Sequence, residues 1–353
     1  MTKTTVIHHS ADYDGIFCRE IARKFLPDAE LIGWDFSDPP VWPTDGITVR
    51  PPEGRIYILD LPVDRVLGFS FAERIPHYDW KDYVWIDHHK SAIDSHPKTI
   101  PGYRIDGVAA CRLAWQWFRN THKALAMPCP GCGALAHPAK VPCESGKTCP
   151  HCGGIHWGSG FCPYTENDEG SSVPPSKQDY VDRKVIEPVA VRLAGEYDIW
   201  DKRDPDADTL QYGLRCQDPL GLQWSDLLSV SKGMPATLMQ LLDNGTVAEC
   251  YAKHVDESTC QSRSFLLEWE GLKFLCINSA RFNSLFFASR DVPETGHDAL
   301  LGFCWNGKAW MVSLYHAKHR TELDLSAIAV KYGGGGHRGA CGFTCNQLPF
   351  LKP

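Results

Sequence analysis

Thr5-Val6-Ile7-His8-His9-Ser10-Ala11-Asp12-Tyr13-Asp14-Gly15 is an apolar run that stops in imidazoles and carboxylates. Tyr83-Val84-Trp85-Ile86-Asp87-His88-His89 repeats the arrangement, and Arg55-Ile56-Tyr57-Ile58-Leu59-Asp60 ends a third run on a carboxylate. Short runs of this composition read as buried strands, so each ligand set stands at a strand's carboxyl end. In an open α/β sheet that edge is where sites are built. A further carboxylate, Asp198, follows the helix-like segment 182–196, with Asp201 and Asp204 as its competitors.

Outward from these runs, strands are expected at 4–8, 29–34, 55–60 and 83–87, with helices at 14–26 and 107–120. Strands separated by helices imply an α/β domain with a mostly parallel sheet flanked by helices. Between 127 and 179 the composition turns to Cys, Pro, Gly, His and Ser, which reads as an inserted module. Helical patterning resumes at 180. Apolar alternation at 272–278, 299–305 and 309–315, then a helix at 325–332, predicts a smaller C-terminal α/β domain with a mixed sheet. The expected organisation is a domain over 1–235 interrupted by the insert 127–179, a helical connector 236–264, and a substrate-binding domain 265–353.

A net charge of −7 over 353 residues argues against a broad nucleic-acid-coating surface and leaves room for a local phosphate site. The fifteen cysteines are not preceded by an apolar leader, and four stand as two Cys-x-x-Cys pairs, so a cytoplasmic, metal-binding protein is expected. No apolar stretch approaches the roughly 20 residues that span a bilayer, and no membrane partner is expected. Oligomeric state, a homodimer included, is open at this stage.

Hard divalent cations favour carboxylate oxygens, and added imidazole tilts such a site from Mg²⁺ towards Mn²⁺. Asp12 and Asp14, two apart, can each face one ion, with Asp60 on a neighbouring strand the natural bridge. Two ions about 3.5–4 Å apart activate water and brace both oxygens of an in-line phosphoryl displacement.

Taken in order, His8-x3-Asp12-x-Asp14, Asp60, Asp87-His88-His89, Asp198 and Gly333-Gly334-Gly335-Gly336-His337 resemble the DHH-family phosphoesterases that carry a DHH-associated C-terminal domain. The resemblance covers nearly the whole chain apart from the insert. It implies that His8, Asp12 and Asp60 hold one Mn²⁺ and that Asp14, Asp60, His88 and Asp198 hold the other. His89 would then lie against the scissile phosphate, and Asp87 would orient His88. The first motif begins His8-His9, and its spacing favours His8 without excluding His9.

Consecutive glycines let backbone amides approach an anion, and His337 and Arg338 add donors and charge. Gly334, Gly335, Gly336, His337 and Arg338 are therefore the expected substrate-binding loop. Cys129-x-x-Cys132 and Cys149-x-x-Cys152, sixteen residues apart, have the spacing of a four-thiolate ribbon, for which one structural Zn²⁺ is expected.

The function implied is a Mn²⁺-dependent phosphodiesterase that releases 5′-mononucleotides from short single-stranded oligonucleotides or small nucleotides. Cyclic-dinucleotide phosphodiesterase and adenosine bisphosphate phosphatase activities use the same centre. A nucleic-acid-binding adaptor on a vestigial fold is the alternative of another class. Pyrophosphate or polyphosphate chemistry is disfavoured because only Lys90 follows the Asp-His-His run, where a compact polyanion needs dense positive charge.

Overall fold

Side chains along a strand point alternately to its two faces. In β1 (Thr4–His9) this sends Val6 into one apolar layer and Ile7 into another. The structure is a computed structural model that describes residues 3–36, 38–42, 54–68, 80–96, 98–121, 174–201, 203–230, 233–280 and 282–351. It forms two compact units, residues 1–246 and 247–353.

In the first unit β1 is followed by α1 (Tyr13–Phe25), β2 (Glu30–Trp34), β3 (Arg55–Leu59), α2 (Val63–Leu67), β4 (Tyr83–Ile86) and α3 (Lys90–Ser95). Then come α4 (Ala110–Thr121), α5 (Lys177–Val181), α6 (Val189–Asp198), α7 (Asp206–Arg215), α8 (Trp224–Leu227) and α9 (Ala236–Arg263). The strands form one parallel sheet in the order β2-β1-β3-β4. This is the α/β architecture expected from the alternating runs. On one face Val6, Leu59, Val84 and Ile86 pack with Phe17, Ile21, Leu113 and Trp115. On the other Ile7, Ile56, Ile58 and Trp85 pack with Val63, Val66 and Ala92. Burial on both faces explains why these strands read as unbroken apolar runs.

The register brings the strand ends level, pairing His9 with Trp34, His8 with Leu59, and Leu59 with Ile86. Chain order reverses between β1 and β3, so the sheet's topological switch point lies where His9, Asp12 and Asp60 emerge.

The segment after residue 173 returns to α4. Arg112 forms a buried ion pair with Glu187 and donates to the Tyr180 carbonyl at 3.3 Å. Trp115 Nε1 and Gln116 Nε2 both donate to the Ile186 carbonyl, at 3.2 and 2.8 Å. Ser176 opens α5 with a reciprocal capping box to Asp179. The four cysteines expected to hold zinc, Cys129, Cys132, Cys149 and Cys152, lie outside the described residues.

Leu238 and Leu241 of α9 belong to the core of the first unit, and Cys260 of the same helix to a core of the second. The second unit continues with β5 (Phe265–Trp269), β6 (Leu272–Asn278), β7 (Ala299–Trp305), β8 (Trp310–His316), α10 (Ser326–Lys331), β9 (Gly335–His337) and β10 (Ala340–Cys345). The sheet order is β5-β6-β7-β8-β10-β9, with β6 and β7 parallel and the other pairs antiparallel, hence the mixed sheet expected.

Several elements differ from the sequence reading: the helix-like segment 182–196 is helical only from Val189, since Pro188 has no amide hydrogen for a preceding turn, and the short helices α2, α3, α7 and α8 were not foreseen. β5 is an edge strand that reading missed, because Phe265, Leu266 and Glu268 are exposed and break the alternation. The glycine run, expected as a loop, forms edge strand β9 instead. A Cβ at Gly334 would lie 2.0 Å from the Gly342 carbonyl oxygen, and Gly336 has φ +129°, so glycine permits this close pairing. Among the described residues, no helix is long and apolar enough to cross a membrane.

Candidate metal centre

Four carboxylates and three imidazoles meet at the carboxyl edge of the parallel sheet, in two separate triads, His9, Asp12 and Asp60, and Asp14, His88 and Asp198, and a third, Asp60, His88 and His89, that links them. Asp12 caps α1, its Oδ1 accepting from the Gly15 amide at 3.0 Å while Oδ2 lies 2.9 Å from His9 Nδ1. Gly15 is required here, since a Cβ would stand 2.1 Å from the His9 carbonyl oxygen. Asp14 is buried, and its two oxygens accept from Ala110 and Cys111, each at 2.8 Å. These are the first amides of α4, so the helix terminus fixes the carboxylate.

Asp60 stands between the triads. Its Oδ2 is 3.5 Å from His9 Nδ1 and its Oδ1 is 3.4 Å from His88 Nε2. It takes a left-handed conformation, φ +60°, that an aspartate tolerates, and its amide donates to Ile86 O at 2.9 Å. His88 Nε2 also lies 3.7 Å from Asp14 Oδ2 and 3.3 Å from Asp198 Oδ2. Asp198 is the last residue of α6; its competitors are engaged elsewhere, Asp201 by Arg203 and Asp204 by Arg192 at 2.8 Å.

These spacings suit shared cations. With metal–ligand distances of about 2.1 Å, neighbouring donor atoms of one ion sit roughly 3.0–3.4 Å apart. Asp60 Oδ1 is buried without a hydrogen-bond partner, and His9 Nδ1, though close to two carboxylates, makes no well-aligned hydrogen bond to either, as befits donor atoms that face an ion. The charge balance agrees. Burial would lower His88, but Asp60, Asp14 and Asp198 push it up to about 10, and Asp12 and Asp60 do the same to His9. Burial and the neighbouring Asp60 and Asp12 push Asp198 up to about 6 against the pull of His88. Burial, with Asp60 and Asp198 nearby, raises Asp14 well above the usual range. So much concentrated negative charge calls for protons or for cations.

Two placements differ from what the resemblance implies. His9, not His8, lies with Asp12 and Asp60 within reach of one ion, because adjacent residues of β1 face opposite sides of the sheet; His8 Nδ1 meets the His9 carbonyl at 2.8 Å. Asp87 holds His89 rather than His88. Its Oδ1 meets His89 Nδ1 at 2.7 Å and accepts the amides of His88 and His89 at 2.8 and 3.2 Å. That hydrogen bond raises His89, against the effect of burial. The sequence reading also missed Asp35, whose Oδ1 is 3.5 Å from His9 Nε2. It ends β2 as Asp60 ends β3, which was the signal available.

In the second unit Gly335, Gly336, His337 and Arg338 are exposed, and Arg338 donates to Glu322 O at 2.9 Å. Gly334 is half-buried under β10. The neighbouring basic residues are engaged internally: His316 on Leu323 O, His319 on His297 O, and Arg320 on Asp298 and Glu322.

No family model matches the chain, and no curated protein does. Among solved structures it is similar to a pGpG-specific phosphodiesterase, PggH, from Vibrio cholerae, at 13% identity over 98% of this chain and 93% of that one, with a TM-score of 0.43. It is also similar to RecJ from Thermus thermophilus in complex with Mg²⁺, at 12% identity over 99% of this chain and 48% of that one, with a TM-score of 0.42. A third likeness is to the DHH domain of a protein assigned to a family of ribosomal proteins, at 11% identity over 98% of this chain and 83% of that one, with a TM-score of 0.47.

Proposed function

We propose that the chain is a divalent-metal-dependent phosphoesterase of the DHH type, acting on short single-stranded oligonucleotides or small nucleotides with release of 5′-mononucleotides. The observation that carries this reading is Asp60, whose two carboxylate oxygens each face one of the two triads. His9, Asp12 and Asp60 would hold one cation and Asp14, Asp60, His88 and Asp198 the other, with Mn²⁺ favoured over Mg²⁺ by the imidazoles. Bound there, the pair supplies Lewis acidity and an activated water for in-line displacement at phosphorus.

The chain's own groups do the rest. The first amides of α4 hold Asp14 in place. Asp87 holds Nδ1 of His89, which leaves Nε2 to donate to a non-bridging phosphate oxygen as charge develops. In the second unit the exposed Gly335, Gly336, His337 and Arg338 would offer amides, an imidazole and a guanidinium to an anion, and the four cysteines of the insert would take one structural Zn²⁺.

The test is product analysis with Mn²⁺ on an RNA dinucleotide, an RNA pentanucleotide, a DNA equivalent, a cyclic dinucleotide, adenosine bisphosphate and pyrophosphate. Stepwise release of mononucleotides, abolished in Asp60→Ala, is expected. Equal turnover by the variant, or survival of every substrate, would sink the reading.

A further inference from the structure

Among the described residues, most large aromatic side chains of the first unit are buried, including Trp34, Trp80, Trp85 and Trp115. Phe36 and Trp200 are not: they are 52% and 53% exposed. Phe36 follows β2 and meets the His9 ring edge-on at 5.5 Å, so it stands beside the His9–Asp12–Asp60 triad. A second edge contact, with Trp34 at 5.7 Å, fixes the ring further. Trp200 lies two residues beyond Asp198 of the other triad and stacks on Tyr197 at 6.3 Å with an interplanar angle of 26°.

The backbone under Trp200 is the second observation. Asp201 N donates to Glu196 O at 2.8 Å and Trp200 N to Tyr197 O at 3.1 Å, with Trp200 at φ +56°. This is a Schellman ending for α6, and its left-handed position is one that glycine fills without strain. A bulky aromatic there, half in solvent, is held against local preference, as residues at binding sites often are.

We propose that Phe36, against the ring of His9, and Trp200, two residues beyond Asp198, are nucleobase platforms that stack on the bases flanking the scissile phosphodiester. This rests on the metal-centre reading and narrows it to substrates carrying a base on either side of the phosphate, as opposed to base-free phosphate esters or anhydrides. Aromatic stacking suits a short single strand because every base offers a π-face.

The experiment compares wild type, Phe36→Ala, Trp200→Gly and Asp60→Ala on a linear dinucleotide and on the same sugar-phosphate backbone without bases. It is paired with metal-free quenching of tryptophan fluorescence by AMP. Phe36→Ala and Trp200→Gly should each raise KM for the dinucleotide about tenfold or more, with kcat nearly unchanged and the abasic diester unaffected. Trp200→Gly should also melt higher than wild type, which a core tryptophan would not do, and should lose part of the quenching. Unchanged KM, or unchanged quenching where no turnover is seen, overturns the platforms. Quenching that depends on Trp200 without hydrolysis by wild type upholds them and refutes the metal-centre reading instead.

Discussion

At the residue scale, His8 and His9 share a strand end and differ in what alternation gives each to face. Burial holds the His8 imidazole down at about 4, so near neutrality it is an uncharged core residue bonded to a carbonyl. His9→Ala should weaken Mn²⁺ binding by about 100-fold, whereas His8→Ala should bind the ion nearly as wild type while unfolding at lower urea; calorimetric titration beside a urea melt separates the two. Asp64 offers a pH test away from the centre. Burial would raise its carboxyl, but His96 Nε2 at 2.9 Å outweighs this and holds it below the usual range. A depressed carboxylate contributes stability above its unfolded pKa near 4 and loses it as pH falls through the folded value. Asp64→Asn should therefore cost up to about 1 kcal/mol at pH 7, with the gap closing below about pH 4 in urea titrations run at both pH values.

At the scale of elements, α4 is fixed at its first turn by Asp14 and along its length by the segment 180–187. The Arg112–Glu187 pair is almost wholly buried, so Glu187→Gln should cost about 3–5 kcal/mol by stranding a guanidinium. Replacing both partners with Met should recover much of that loss in urea unfolding. Helices α1 and α4 and the parallel strands were legible in the sequence, the strands because each is apolar on both faces and runs into an imidazole or a carboxylate, whereas the helix-like segment 182–196 held only from Val189. β9 was not legible, since glycine carries no strand propensity and only the approach of β10 reveals why Gly334 and Gly336 are glycines. Among the site residues, the carboxylates could be read from their place after apolar runs. The choice of His9 over His8 could not, because it depends on how β1 turns its last rings. Nor could the partner of Asp87, which a local turn decides.

At the scale of the whole molecule, each unit has its own apolar cores, built from residues before 246 in one case and after 247 in the other. Calorimetry should resolve two transitions, of which Mn²⁺ raises only one, by about 2.7 kcal/mol at a hundredfold excess over Kd; Asp60→Ala should remove that shift. A single transition moved as a whole would show instead that α9 couples the units. The apolar layer under α1 and α4 has a further consequence, because it joins residues from before position 121 with residues from after 174. A chain cut within 122–173 would yield two pieces, each holding part of one core and part of the proposed ligand set: His9, Asp12, Asp14, Asp60 and His88 on one, Asp198 on the other. Expressed as separate polypeptides, the halves should be inert alone and regain hydrolysis on mixing, a natural place to divide this protein for a complementation reporter.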